Sequence, residues 1–335
     1  MRILVCGGAG FIGSAFVRRM LSNDPGVEIV NLDKLTYAGN LDNLRSVEAD
    51  PRYRFVHADI CDRAAVTAAA KGADAIVNFA AETHVDRSIA EPEAFLHTDI
   101  LGTHTLLEVV RALGIARMVQ VSTDEVYGSI DKGSFTERHP IDPSSPYSAS
   151  KAGGDLQVLA YQRTYGLPVM ITRGSNTYGP YQYPEKLIPL FVTNALEGEK
   201  LPLYGDGLNV RDWLHVDDHI DGIEFVLRNG QPGETYNVGG GNERTNIEIT
   251  SIILDELGLD ESAIRRVTDR PGHDRRYSLD CAKLHALGWR PVIDFEQGLR
   301  DTIRWYRDQE WWWKKIKHGT DEFARWRTRW YDERA

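Results

Sequence analysis

The chain has 335 residues, 42% hydrophobic and 26% charged, a balance close to the globular average that excludes a disordered tail, a collagen-like fibre and a low-complexity linker. Its net charge of −10, from 39 basic and 49 acidic side chains without a basic run, argues against nucleic acid and anionic membrane as partners. Three widely spaced cysteines, Cys6, Cys61 and Cys281, argue against a disulfide framework and against a zinc cluster, so no metal is expected.

The N-terminal segment MRILVCGGAGFIG is broken by four glycines and reads as a strand and turn, not as a signal peptide. No apolar stretch reaches the roughly 18 residues of a membrane span, and the expected address is the cytoplasm. Ile3–Cys6 is a short strand. Phe11–Leu21 follows with helical spacing at Ile12, Phe16, Val17, Met20 and Leu21. Glu28–Leu32, Tyr53–His57 and Ala75–Phe79 read as further strands. A long helix is expected over Pro92–Leu113, with Pro92 in its first turn. Met118–Ser122 is a fifth strand, Tyr147–Tyr165 a helix and Val169–Thr172 a sixth strand. Strands alternating with helices of this length imply a parallel sheet covered on both faces.

After about residue 173 the rhythm loosens into GPYQYPEKLIP, KLPLYGDG and DRPGHDRR, which read as loops built over a scaffold. From Trp305 to the C-terminus, 31 residues hold six of the eight tryptophans. The expectation is a C-terminal helix and tail packed onto the second lobe, since aromatic rings most often fill cores.

The strongest local signal is Gly7-x-x-Gly10-x-x-Gly13, directly after a strand and opening a helix. The first glycine permits a tight turn, the second lets backbone approach a pyrophosphate, and the third lets helix pack on strand; the helix N-terminus offers free N–H groups to phosphate. Asp33 stands twenty positions after Gly13, at the end of the second strand. A carboxylate there can bond both ribose hydroxyls of an adenosine and would repel a 2′-phosphate, favouring NAD over NADP. Lys34 beside it weakens that preference, and Asp59-Ile60 would flank the adenine. The fold class is therefore α/β, a Rossmann-type doubly wound parallel sheet with a smaller mixed α/β C-terminal lobe. The expected division is a nucleotide-binding domain over 1–173, rejoined by a segment near 205–240, and a substrate lobe with tail over 174–335.

Tyr147-Ser-Ala-Ser-Lys151 sets a phenol and an ammonium four residues apart on one helix face. A phenol titrates near 10 and needs roughly 4 kcal/mol of preferential interaction to fall by about three units; Lys151 and a positively charged nicotinamide are expected to supply it. The fifth strand runs into Thr123-Asp124-Glu125-Val126-Tyr127-Gly128. Neighbours in a regular strand face opposite sides, so both acids share a pocket only if the chain turns there. Two carboxylates in one site split their pKa values into an acid and a base, as an enzyme that removes water requires.

With GGAGFIG, Asp33, STDEVYG and YSASK in this order, the chain resembles the extended short-chain dehydrogenase/reductase family. LTYAGNLDNL (Leu35–Leu44), NFAAETHVDRSI (Asn78–Ile89), GPYQYPEKLIPLF (Gly179–Phe191), LPLYGDGLNVRDW (Leu201–Trp213) and DRPGHDRRYSLD (Asp269–Asp280) narrow the resemblance to its dTDP-glucose 4,6-dehydratase branch, over about residues 1–305. The resemblance implies oxidation of a hexose at carbon 4, loss of water across carbons 5 and 6, and hydride return to carbon 6. Thr123, Asp124, Glu125, Tyr147 and Lys151 would be catalytic: Tyr147 takes the 4-hydroxyl proton, Glu125 the carbon-5 proton, and Asp124 protonates the leaving 6-hydroxyl. NAD would be held by Gly7, Gly10, Phe11, Ile12, Gly13, Asp33, Lys34, Thr36, Asp59, Ile60, Ala80, Ala81, Thr83, Thr98, Tyr147, Lys151 and Asn176. The dTDP-glucose substrate would meet His84, Thr123, Asn176, Lys186, Leu187, Pro202, Tyr204, Arg211, Asn246, Arg270 and His273. Arg211 and the Arg270–Arg276 cluster suit a diphosphate. A homodimer is implied, paired through the helices Pro92–Leu113 and Tyr147–Tyr165, although the apolar faces at Leu96, Ile100, Leu107, Val110, Leu156, Leu159 and Ala160 also fit burial within one chain.

Three positions depart from the family pattern: Cys6 where Thr is more frequent, Asp99 where Asn is usual, and Thr177 where a second Asn is usual. A UDP-sugar 4-epimerase or decarboxylase would also need Tyr147, Lys151 and NAD, but an epimerase has no use for the Asp124–Glu125 pair and a decarboxylase at most for the glutamate. A GDP-mannose dehydratase is disfavoured by Asp33, and a non-catalytic dinucleotide sensor has no need of the acids.

Overall fold

The computed structural model describes residues 1–319, 321–328 and 330. Twelve strands are described: β1 (Arg2–Cys6), β2 (Glu28–Asp33), β3 (Tyr53–His57), β4 (Ala75–Asn78), β5 (Arg117–Thr123), β6 (Val169–Gly174), β7 (Asn176–Tyr178), β8 (Leu201–Tyr204), β9 (Val210–His215), β10 (Thr235–Val238), β11 (Glu243–Thr245) and β12 (Ile264–Val267). Seven make one parallel sheet in the order β3-β2-β1-β4-β5-β6-β10. The first six are the predicted ones; β10 is an addition on the edge beside β6. Strands β4 and β6 are buried at every residue, as a sheet covered on both faces requires.

Alternation along β1 divides the core. Ile3 and Val5 point to the face covered by helices Phe11–Asn23 and Val216–Asn229, through Phe16, Met20, Ile220 and Ile223. Leu4 and Cys6 point to the face covered by Arg63–Ala70, Thr103–Leu113 and Pro146–Tyr165, through Val66, Leu107, Val110 and Val158. Each such side chain, fully buried, contributes about 1.5–3 kcal/mol. Cys6 lies in this apolar layer, so its size suffices there.

The expected helix Pro92–Leu113 is one continuous rod with a widened middle. Pro92–Phe95 and Thr103–Leu113 are α-helical, while Leu96–Gly102 is π-helical. Such turns concentrate at functional sites, and a 3.6-residue hydrophobic period does not reveal them. Gly154 permits the neighbouring helix to approach: a Cβ there would lie 2.8 Å from the Asp99 carbonyl oxygen. Leu107 and Val110 face the chain's own sheet, whereas Leu96, Leu101 and Leu156 are exposed.

The second lobe holds the three-stranded sheet β11-β9-β7 and the pair β12-β8. Helices Leu187–Leu196, Asn246–Leu257 and Phe295–Asp308 enclose its core with the tail helices Glu310–Gly319 and Asp321–Arg327. Trp312 and Trp313 are fully buried, and the Trp313 indole donates to the Tyr306 carbonyl at 2.7 Å. Trp311 stays exposed under the Arg45 guanidinium. The last five residues of the predicted tail, 331–335, lie outside the described residues. No described helix is long and apolar enough to cross a membrane.

The winding order reverses between β1 and β4, and in such sheets ligands bind outside the carboxyl ends at that switch point. The turn after β1 depends on close packing at Gly13, where a Cβ would lie 2.3 Å from the Gly7 carbonyl oxygen and 2.9 Å from the Gly8 Cα. Gly13→Ala should lower stability by about 1–3 kcal/mol, the range for overpacking. Thermal melting checks this, and an unchanged midpoint would contradict it.

Candidate active site

The carboxyl ends of β1, β2, β4, β5 and β6 open onto one cavity. At its first end, Gly7 has φ +76, and a Cβ there would lie 2.5 Å from the Ala80 amide nitrogen. The helix from Phe11 begins with Gly10 as an N-cap that offers no side-chain acceptor, which leaves N–H groups available to an anion. The Asp33 carboxylate accepts the Ala9 N–H at 2.9 Å and the Leu35 N–H at 2.8 Å. Burial raises its pKa and those two backbone bonds oppose the rise. Lys34 is paired with Asp59 at 2.7 Å, so its charge is already engaged at the place where a 2′-phosphate would need it.

Every residue assigned to the cofactor by sequence lines this cavity. A dinucleotide also fits the polar groups waiting there. Ser122 Oγ, Ser175 Oγ, Asn176 Oδ1 and His219 Nε2 are buried without a hydrogen-bond partner, and all four residues line the cavity; buried polar atoms of this kind call for a partner. Thr177, one of the departures, bonds His219 Nδ1 at 2.7 Å through its hydroxyl.

At the other end, β5 stops at Thr123 and a 3-10 turn begins at Asp124. Thr123 Oγ1 accepts the Glu125 N–H at 3.3 Å and donates to Asp124 Oδ1 at 3.2 Å. Gly128 closes the turn at φ +80, with no room for a Cβ against the Asp142 carbonyl. The turn brings both acids onto the cavity wall. Asp124 Oδ2 has no partner. Burial first, then the neighbouring Glu125, pushes the Asp124 carboxyl well above the usual range. Burial also raises Glu125, but Arg270, Lys186 and Arg211 pull it back. The environment thus separates the two carboxyls.

A Ser145–Ser148 capping box and Pro146 start the helix that carries Tyr147 and Lys151. Lys151 is buried and donates to the Val121 carbonyl at 3.0 Å. The phenol does not follow the sequence expectation within the protein alone. Burial first, then the Glu125 and Asp99 carboxylates, holds Tyr147 well above its ordinary pKa, and a hydrogen bond to Thr123 opposes this.

Among the expected substrate residues, Thr123, Asn176 and Lys186 line the same cavity. His84, Tyr204, Arg270 and His273 gather beside it around Asp86. Tyr204 donates to Asp86 at 3.1 Å, Arg270 pairs with it at 3.3 Å, and His84 lies 3.9 Å away. The His273 ring meets Tyr204 edge-on. Arg211 lies over the Tyr277 ring and donates to the Asp274 carbonyl. Leu187, Pro202 and Asn246 are not on the cavity wall; they open helix Leu187–Leu196, sit in β8 and open helix Asn246–Leu257. Asn246 Oδ1 is nonetheless buried without a partner. Within the Arg270–Arg276 run, Arg275 pairs with Asp206, Arg276 with Glu243 and Arg270 with Asp86; Arg270 and Arg211 act on Glu125. Sequence reading missed Asp86, His219, Tyr181 and Trp312: Asp86 and Tyr181 lie inside the segments Asn78–Ile89 and Gly179–Phe191 but nothing local sets them apart from their neighbours, and His219 and Trp312 reach the site from distant segments without a motif.

The family model described as GDP-mannose 4,6 dehydratase matches residues 4–302. The dTDP-glucose 4,6-dehydratase of Streptomyces antibioticus is 53% identical over 323 residues, covering 95% of this chain and 96% of that protein. The chain belongs to the dTDP-glucose 4,6-dehydratase family. A solved dehydratase of this family, from Streptomyces venezuelae with NAD and TYD bound, is 59% identical with a TM-score of 0.93, covering 95% of this chain and all of that one. The Thermus thermophilus UDP-glucose 4-epimerase, in complex with NAD, shares the fold at a TM-score of 0.84 but only 32% identity over 92% of this chain and all of that one. The sequence reading, a dehydratase in preference to an epimerase, agrees with this ranking.

Asp99, where the resemblance led to an expectation of Asn, sits in the π-helical turn. Ser150 donates to its Oδ2 at 2.6 Å, while Oδ1 is buried without a partner. Burial raises its pKa from 3.8 to about 6, against the pull of Lys151 and Ser150. A carboxyl raised on folding binds its proton more tightly in the folded state, so stability falls as pH climbs from about 4 through 6 and stays lowered above that. Asp99→Asn should therefore stabilise the protein at pH 8, by up to about 3 kcal/mol for a shift of about two units, and give no gain at pH 4. Melting curves at the two pH values decide this; an equal change at both would contradict it.

Proposed function

We propose that this cavity converts dTDP-glucose to dTDP-4-keto-6-deoxyglucose and water, with Thr123, Asp124, Glu125, Tyr147 and Lys151 as its catalytic residues. One observation carries the reading. Asp124 and Glu125 are neighbours in sequence, yet both line one cavity; burial raises both carboxyls, Asp124 well above the usual range, while Arg270, Lys186 and Arg211 hold Glu125 back. Oxidation alone needs no such pair.

Bound NAD supplies a hydride acceptor for carbon 4 and a hydride donor for carbon 6. Gly7, Gly10 and Gly13 leave room for its pyrophosphate, Asp33 for its ribose, and Asn176 and Lys151 for the far end. Tyr147 takes the 4-hydroxyl proton, and Thr123 bonds the resulting 4-oxygen. The phenol's high pKa in the protein alone makes Lys151 and the positive charge of the oxidised cofactor necessary to this step. Once carbon 4 is a ketone, the carbon-5 hydrogen is acidic, and Glu125, pulled toward its charged form by three cations, removes it. Asp124, pushed toward its protonated form by burial and by Glu125, gives its proton to the departing 6-hydroxyl, which leaves as water. Glu125 returns its proton to carbon 5 as carbon 6 is reduced. Arg270 and Arg211 suit the substrate diphosphate, with Lys186, His84, Tyr204 and His273 around them and Leu187, Pro202 and Asn246 toward the nucleoside.

The working unit in this proposal is a homodimer. Leu96, Leu101, Leu156 and Tyr165 are about half exposed on the two helices expected to pair, and such apolar surface favours burial against a second copy.

Glu125→Gln keeps the size of the side chain and removes the base. In a single turnover with dTDP-glucose, reduced cofactor should appear at 340 nm and persist, while 4-keto-6-deoxy product falls by about 10²-fold or more. Turnover near the wild-type rate would overturn the role of Glu125.

A further inference from the structure

The tryptophan-rich tail makes polar contacts that core packing does not require. Trp312, fully buried, lines the same cavity as Asp33, and its indole N–H donates to Asn43 Oδ1 at 2.8 Å. Asn43 Nδ2 donates in turn to the Ala9 carbonyl at 3.0 Å, inside the glycine turn. The Ala9 N–H donates to Asp33 Oδ2 at 2.9 Å. Three hydrogen bonds thus run from a helix near the C-terminus, through residue 43, to the turn and carboxylate that face the cofactor. A second clasp lies alongside. Arg18, on the helix that leaves the turn, donates to the Asn43 carbonyl and lies 4.4 Å over the Tyr181 ring, and Tyr181 meets Trp312 edge-on at 5.6 Å. On the outside, Lys315 pairs with Asp42 and Arg45 covers Trp311.

We infer that Trp312 is a positioning residue for the cofactor: through Asn43 it fixes the glycine turn and Asp33, so that the tail holds NAD in place. The inference rests on the reading that NAD occupies this cavity. It gives the tail a use in the reaction. The cofactor reduced at the first step is needed again at the last, so its escape between them would strand the sugar half-converted.

Hydrogen exchange of the wild-type protein with and without NAD tests this. NAD should slow exchange together in Gly7–Gly13, Leu41–Arg45 and Glu310–Gly319. Protection of the glycine turn with an unchanged tail would overturn the inference and leave the NAD reading standing; no protection in any of the three would remove both. Trp312→Phe keeps an aromatic ring but loses the N–H together with the five-membered ring that carries it. Its NADH dissociation rate, followed by NADH fluorescence on dilution, should rise about five- to tenfold, as for loss of one buried hydrogen bond. An unchanged rate in the folded variant would equally overturn it.

Discussion

A carboxylate taken out of water costs several kcal/mol unless a cation, hydrogen bonds or a proton offset it. At the end of β5 two carboxyls meet that condition side by side. Glu125 is offset by Arg270, Lys186 and Arg211. Asp124 has the Thr123 hydroxyl on one oxygen and nothing on the other, and Arg211 opposes the rise that burial, Glu125 and Asp212 impose on it. Their mutual repulsion widens the difference. An acid and a base in adjacent positions follow from how unevenly the lobe distributes its cations. Those cations are themselves held: Arg270 by Asp86, which also accepts the Tyr204 hydroxyl. Residues of the second lobe therefore set the chemistry of a turn that belongs to the main sheet.

The sheet supplies the other half. Its parallel strands end together, so the glycine turn after β1, Asp33 of β2 and the acid pair after β5 reach one cavity, which Asn176 of β7 in the second sheet also lines. The glycine turn tolerates no added carbon at Gly7 or Gly13, and Asp33 has both oxygens committed to backbone N–H groups. That rigidity suits a cofactor that must change state twice without leaving. Buried groups left unpaired, such as His219 Nε2 and Ser175 Oγ, mark where the fold gives up its own hydrogen bonding in favour of a ligand.

Local pattern made the nucleotide half of the fold legible. The glycine spacing, the carboxylate twenty residues on and the Tyr–Lys pair each carry a physical reason for their spacing, and the strands around them have strong apolar runs. The π-helical turn was not legible, because it alters hydrogen bonding without breaking the helical face that periodicity detects. The edge strand β10 reads Thr-Tyr-Asn-Val, where Thr235 and Asn237 interrupt the apolar run that marks the other strands. Asp86 and Trp312 matter through partners 184 and 269 residues away, and no local signal encodes such a distance. The protein's own effect on Tyr147 was not legible for a related reason: the sequence shows Lys151 four residues away but not the depth of burial or the approach of Glu125 and Asp99.

Protonation of the acid pair can be read directly. Infrared difference spectra between the wild-type protein and Asp124→Asn, recorded across neutral pH, isolate the stretch of a protonated carboxyl at residue 124. That band should persist to higher pH than the corresponding band of Glu125, the first of the two to ionise. A carboxylate band for Asp124 at neutral pH, with Glu125 holding the proton, would contradict the division of labour on which the proposed chemistry rests.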